Sequence, residues 1–143
     1  TGGVMRIETF KGSSAEAEAV MMVCIAAIAA DGKVASDEIS RLRMLAYLNP
    51  LYAGIEDVDD YIQSLAGRAA EEGDQGVLEF AAKALKQPLR ETAYAWATDM
   101  VSADAKVLRE EHEFLAGLRK RLGIHGELAG KIKAVTAIRN RVS

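Results

Sequence analysis

Apolar positions recur every three to four residues along almost the whole chain, the spacing of one face of an α-helix, and strict alternation is nearly absent. A first helix starts at Ser13 or Ser14, either of which can cap it, with Glu16 in its first turn. It runs through Met21, Met22, Cys24, Ile25 and Ile28 to about Ala30. Being apolar on most faces, it is predicted to be central. Asp31-Gly32-Lys33 breaks it. Ser36 then offers a capping oxygen to a second helix whose face is Ile39, Leu42, Leu45 and Leu48, and Asn49-Pro50 stops that one. A third helix is predicted from Asp57 to Glu72, ended by Gly73, and a short fourth from Val77 to Lys86. Pro88 suits the first turn of a fifth, which carries Ala93, Trp96, Ala97, Met100 and Val101. A sixth runs from about Arg109 to Leu122 before Gly123, and a seventh from about Gly126 to Arg141. The expectation is an all-α compact bundle of about seven helices, one domain over residues 13–143. Residues 1–12 are expected to be a tail or a short strand, Val4 to Phe10 being the one strand-like piece.

The pattern repeats at a shift of 73 residues. Ala30-Asp31-Gly32-Lys33-Val34 through Glu38 falls on Ala103-Asp104-Ala105-Lys106-Val107 through Glu111, and Leu42 and Leu45 fall on Leu115 and Leu118. The alanine, aspartate, lysine, valine and glutamate of the two segments coincide, and so do the two leucines. Two helix–turn–helix units of one design are therefore expected to pack as pseudo-symmetric hairpins, each burying the other's apolar face.

Composition narrows the class without naming a function. The 143 residues are 50% apolar and 27% charged, with a net charge of −3 and a mean hydropathy of +0.00, which excludes a disordered chain. A chain of this length buries enough surface to fold without disulfides or a structural metal. The one cysteine, Cys24, excludes an intramolecular disulfide and any zinc site built on cysteines, and suits a cytoplasmic location. The longest apolar run, Ala19 to Ala30, makes roughly 18 Å of helix, short of a ~30 Å hydrocarbon core. Thr1-Gly2-Gly3 has neither the basic region nor the apolar stretch of a signal peptide.

The repeated turn carries the candidate chemistry. Asp31-Gly32-x-Val34-x-x-x-Glu38 matches the second half of a calcium-binding helix–loop–helix, but the leading ligand positions hold Ala27 and Ala29 in one copy and Met100 and Ser102 in the other. Neither loop alone can therefore supply six oxygen ligands. The motif Ala29-Ala30-Asp31-Gly32-Lys33-Val34 with Glu38 and Leu42, and its second copy from Asp104 to Glu111 before Leu115, Leu118 and Leu122-Gly123, resembles the TerB family of tellurite-resistance proteins. It is also similar to the related domain of DjlA-type co-chaperones. The resemblance covers about Ser14 to Ile124. It implies an all-helical domain built from two such hairpins and a cytoplasmic, bacterial role in resistance to tellurite and other chemical stress. It also implies metal binding through the acidic motif residues, which by position are Asp31, Glu38, Asp104 and Glu111. Ala105 stands where the first copy has Gly32, so the second turn departs from the pattern. Four carboxylates brought together by two hairpins would form a hard-cation site for Ca²⁺, Mg²⁺ or Mn²⁺. The structural alternative is that Asp31 and Asp104 end helices in turns, while Glu38 and Glu111 cap the helices that follow.

The other candidates are weaker. His112 follows Glu111, His125 sits at a helix boundary, Cys24 lies on the most apolar helix, and Met21, Met22, Met44 and Met100 fall at core spacing. No phosphate loop, nucleophile elbow or histidine cluster is present, so no enzyme is expected. Charge is uneven: Glu56 to Glu79 holds eight acidic residues against Arg68, whereas residues 112–143 hold seven basic residues against Glu113 and Glu127. Arg119, Lys120 and Arg121, with Lys131, Lys133, Arg139 and Arg141, mark a surface for a protein partner or for acidic lipid, and nucleic acid is not expected.

Overall fold

Ser14 opens the first helix as its cap, its Oγ accepting a hydrogen bond from the Ala17 amide at 3.0 Å. The computed structural model describes residues 14–30, 32, 34, 36–102 and 108–141. Its elements in order are α1 (Ala15–Ile28), α2 (Ser36–Leu48), a 3₁₀ turn (Pro50–Tyr52), α3 (Val58–Ala84), α4 (Gln87–Val101), α5 (Arg109–Leu122) and α6 (Gly126–Asn140). The described residues contain no strand, and none of their helices is long and apolar enough to cross a membrane. The predicted tail or strand at residues 1–12 lies outside the described residues.

Among the described residues six α-helical elements stand where about seven were expected. The third and fourth predicted helices follow one another without a linker as α3: Gly73, whose φ of 73° and ψ of 169° are not helical, divides it where the third helix was predicted to end, and helical geometry resumes at once after it. Across Gly73 the Arg68 guanidinium lies over the Phe80 ring at 5.4 Å, although a straight helix would separate the two positions by roughly 18 Å along its axis. A second difference is small: Ser36 is the first helical residue of α2 and does not stand before it. Two further stop signals, at Asn49 and Gly123, act as predicted. Asn49 Oδ1 accepts from the Leu51 amide at 2.9 Å as α2 ends, and left-handed Gly123 closes α5, with the Ile124 amide donating to the Arg119 carbonyl at 3.0 Å.

Every residue of α1 from Ala19 to Ile28 is buried, which no amphipathic surface helix could show. α1 packs chiefly on α3 and α4 and touches α2 and α5 at its edges, so the other helices wrap around it. One hydrophobic cluster takes residues from every helix, including Leu45 of α2, Leu65 of α3, Met100 of α4, Leu118 of α5 and Ala129 of α6. α6 contributes least, with Ala129 and Thr136 alone buried, and it lies mainly against α4. Adding 73 to the bounds of α1 and α2 gives 88–101 and 109–121, within one residue of the bounds of α4 and α5.

Two buried protic groups make this core sensitive to alkaline pH. Burial pushes the Cys24 thiol well above its ordinary value of 9.0, helped by the negative charge of nearby Asp99. It pushes the Tyr52 phenol above 10.0 in the same way, and that O–H donates to the Ala17 carbonyl at 2.7 Å, a bond only the protonated form can make. Both groups stay protonated in the folded state while the unfolded chain ionises, so the stability they support is complete below pH 9.0 and falls as pH rises beyond it. The unfolding free energy is expected to drop by about 1.4 kcal/mol between pH 9 and pH 10, measured by urea denaturation. Cys24→Ala should flatten that slope, and an equal slope in this variant would remove Cys24 as its source.

Candidate functional site

The four motif carboxylates divide into two kinds. Asp31 and Asp104 lie outside the described residues. Glu38 and Glu111 each take the third position of their helices, α2 and α5, and both are buried, 5% and 4% exposed. Two carboxylates at corresponding positions, each in a first turn where unpaired amides and the helix dipole favour negative charge, are thus enclosed by the fold. Glu111 shows what this achieves. Its Oε1 accepts from the Leu108 amide at 2.9 Å, reaching back to the residue before the helix. That is the returning half of a capping box, and Leu108 has no oxygen for the other half. Among the described residues no group of three or more histidine, cysteine, aspartate and glutamate side chains is placed to hold a metal ion.

The remaining candidates fall on the surface or in the core. His112 is exposed, and His125 occupies the position before α6 without a side-chain bond to its amides. Cys24 is a buried thiol. Arg119, Lys120 and Arg121 form the last turn of α5, where positive charge complements the helix end. A hollow of about 370 Å³ between α1, α2 and α3 has an apolar lining of Ile25, Ile28, Leu42 and Ile62, and the exposed Arg43–Asp59 pair, 2.7 Å apart, also lines it.

A polar cluster absent from the sequence reading joins α2, α4 and α6. Asp99 is buried near the end of α4, and Arg41 Nη1 donates both to its Oδ2 at 3.0 Å and to its backbone carbonyl at 3.1 Å. Arg41 Nη2 donates to Asn140 Oδ1 at 2.6 Å. The Asn140 amide in turn donates to Asp99 Oδ1 at 3.3 Å and to the Thr136 carbonyl at 2.8 Å. Arg139 approaches Asp99 Oδ1 from the outside at 3.4 Å, its side chain still 61% exposed. One carboxylate is therefore held by two cations and an amide from two other helices. The sequence signal was a charged residue at Asp99 beside Met100 on an otherwise apolar stretch. Its partners are not legible there, because Arg41 and Asn140 are 58 and 41 residues away.

Beside this cluster the surface is apolar. Met44 and Leu48 of α2 are 51% and 65% exposed, and Val135 and Ile138 of α6 are each 55% exposed. A cleft of about 200 Å³ brings Met44 and Leu48 together with half-buried Trp96, Arg41 and Arg139. Large apolar side chains left in water beside fixed cations are more typical of a contact surface than of a solvated one. The chain matches no protein-family model, no curated protein and no solved structure.

Proposed function

We propose that this chain is a non-enzymatic protein-binding domain of TerB-like type, in which the paired glutamates Glu38 and Glu111 hold two related hairpins by capping α2 and α5 from within. The observation that carries this reading is the bond from the Leu108 amide to Glu111 Oε1, which engages the motif carboxylate inside the fold. The corresponding bounds of α1–α2 and α4–α5 support the two-hairpin design, and the apolar side chains exposed on α2 and α6 support a partner-binding role. The resemblance sets such a domain in the cytoplasmic response to tellurite and other chemical stress.

The competing reading is a site for Ca²⁺, Mg²⁺ or Mn²⁺ on Asp31, Glu38, Asp104 and Glu111, and the two differ in what an amide can replace. Glu111→Gln keeps an oxygen for the Leu108 N–H, whereas Glu111→Ala removes it. If the glutamate caps, Glu111→Ala should cost about 1–2 kcal/mol in urea denaturation and Glu111→Gln distinctly less, with no cation present. Titrating the wild-type chain with each of the three cations should give neither heat nor a rise in melting temperature. A cation-dependent rise that Asp31→Ala/Asp104→Ala abolishes would overturn the capping reading in favour of the metal site.

A further inference from the structure

α6 leaves an open trough along its contact with α4. Three hollows of about 260, 250 and 200 Å³ follow one another there and share Arg139. Ile132 and Val135 line the first, Ala95 and Trp96 the second, and Trp96 with Met44 and Leu48 of α2 the third. Along α6 the lining advances from Ile132 through Val135 and Thr136 to Arg139, close to one helical turn at each step. An apolar side chain repeating every turn on a partner helix would meet one hollow after another, the i, i+4, i+7 pattern by which an amphipathic helix lies in a groove.

Charge selects among such helices. Lys131 and Arg139 stand on the open side of the trough. Lys131 has only a 3.9 Å contact with Glu127, and Arg139 only its 3.4 Å approach to Asp99. The one carboxylate in the lining, Asp99, is already engaged by Arg41 at 3.0 Å, so the potential along the rim is positive. Resting on the protein-binding reading above, we propose that the α4–α6 trough is the docking groove for an acidic amphipathic helix of a partner protein. Its apolar face fills the three hollows, and its carboxylates pair with Lys131 and Arg139.

Trp96 is the one tryptophan in the chain and lines two of the three hollows, so its emission reports directly on occupancy. The probe is a synthetic peptide of roughly 16 residues, long enough to form a helix, with leucine at the i, i+4, i+7 and i+11 positions and glutamate on the flanks. Its counterpart has lysine in place of every glutamate. The acidic peptide should shift Trp96 emission to shorter wavelength saturably, and the lysine peptide should not. Val135→Glu should weaken the acidic peptide about tenfold, and Lys131→Glu about fivefold. Val135 and Lys131 are exposed and outside the Asp99 cluster, and unchanged helical circular dichroism shows that each variant is folded. Five results would each overturn the proposal: a silent Trp96 with the acidic peptide, equal binding of the lysine peptide, undiminished binding in both variants, a Trp96 shift that needs only a higher concentration of the chain itself, and a shift with phosphatidylserine vesicles but none with the peptide. The cation titration is independent of all of them. A metal-dependent rise in melting temperature would overturn the capping reading and leave the peptide result standing, whereas a silent Trp96 with no cation effect would overturn the groove alone.

Discussion

Asp99→Ala is expected to lower the unfolding free energy by about 3 kcal/mol, the largest loss foreseen for any polar substitution in the chain. The reason is the asymmetry between making and breaking a buried pair. With Asp99 present, the Arg41 guanidinium is satisfied by the carboxylate at 3.0 Å, by the Asp99 carbonyl at 3.1 Å and by Asn140 Oδ1 at 2.6 Å, and its side chain is only 25% exposed. Removing the carboxylate leaves that cation largely dehydrated and without its counter-charge, while Asn140 and Arg139 lose the oxygen they both approach. The partial exposure of Arg41 puts the loss at the lower end of the ~3–5 kcal/mol seen when one partner of a buried pair is removed. Asp99→Leu combined with Arg41→Met replaces the pair by packed apolar groups and should recover most of the stability. The effect is also local, because Asn140 and Arg139 are the polar ties that hold the end of α6 to α2 and α4. Amide exchange from Ile132 to Asn140 should therefore accelerate more than exchange in α1. A loss below about 1 kcal/mol in urea denaturation, with unchanged exchange in α6, would show that the cluster is a weak surface network.

How much of this was open to reading differs between the fold and the site. Periodicity, caps and breakers are local, and they located the helices: Ser14, Pro88 and Gly123 act at the positions the spacing gave them. The all-apolar stretch from Ala19 to Ile28 announced a central helix, because nothing but complete enclosure suits a helix with no polar face. Gly73 acts where the sequence placed it as well. It divides α3 with a backbone that no right-handed helix adopts, and Val77, Leu78 and Ala81, all buried, give the stretch that follows packing of its own. The recurrence of Glu38 and Glu111 was legible, and so was the choice between capping and ligation. Which oxygen meets which amide was not, since that depends on a backbone turn. The α2–α4–α6 cluster was closed to the sequence for a stronger reason. Asp99 carries a signal on its own, as a charge within an apolar run, but Arg41, Arg139 and Asn140 sit in polar stretches where any of several neighbours would have looked equally suitable. Only the packing of three helices selects among them.

Arg90 presents the same problem in sharper form, and its removal is the second large effect expected. It lies in the first turns of α4, where a cation gains nothing from its own helix dipole, and no spacing in the sequence marks it out. Its guanidinium turns instead to the ends of two other helices. Nε donates to the Leu85 carbonyl at 2.8 Å and Nη2 to the Ala82 carbonyl at 2.5 Å, both at the end of α3, while Nη1 reaches the Leu122 carbonyl of α5 at 3.4 Å. These are carbonyls that a helix end leaves without partners of its own, and they lie where the dipoles of α3 and α5 are negative. A single side chain thus caps two helices and fixes them against the start of a third. Hydrogen bonds to a charged donor contribute about 1.5–3 kcal/mol each. They are not additive here, because one side chain makes all three and is itself half-buried, so Arg90→Ala should cost about 2–3 kcal/mol in urea denaturation. Arg90→Lys separates charge from shape. An ammonium keeps the favourable sign at both helix ends but cannot present donors in the planar fork that spans Ala82, Leu85 and Leu122, so it should recover less than half of the loss. If lysine restored full stability, the contribution would be that of a point charge near two dipoles. It should then fall as salt is raised, whereas a capping fork should leave the difference between wild type and Arg90→Ala nearly unchanged from low to high ionic strength.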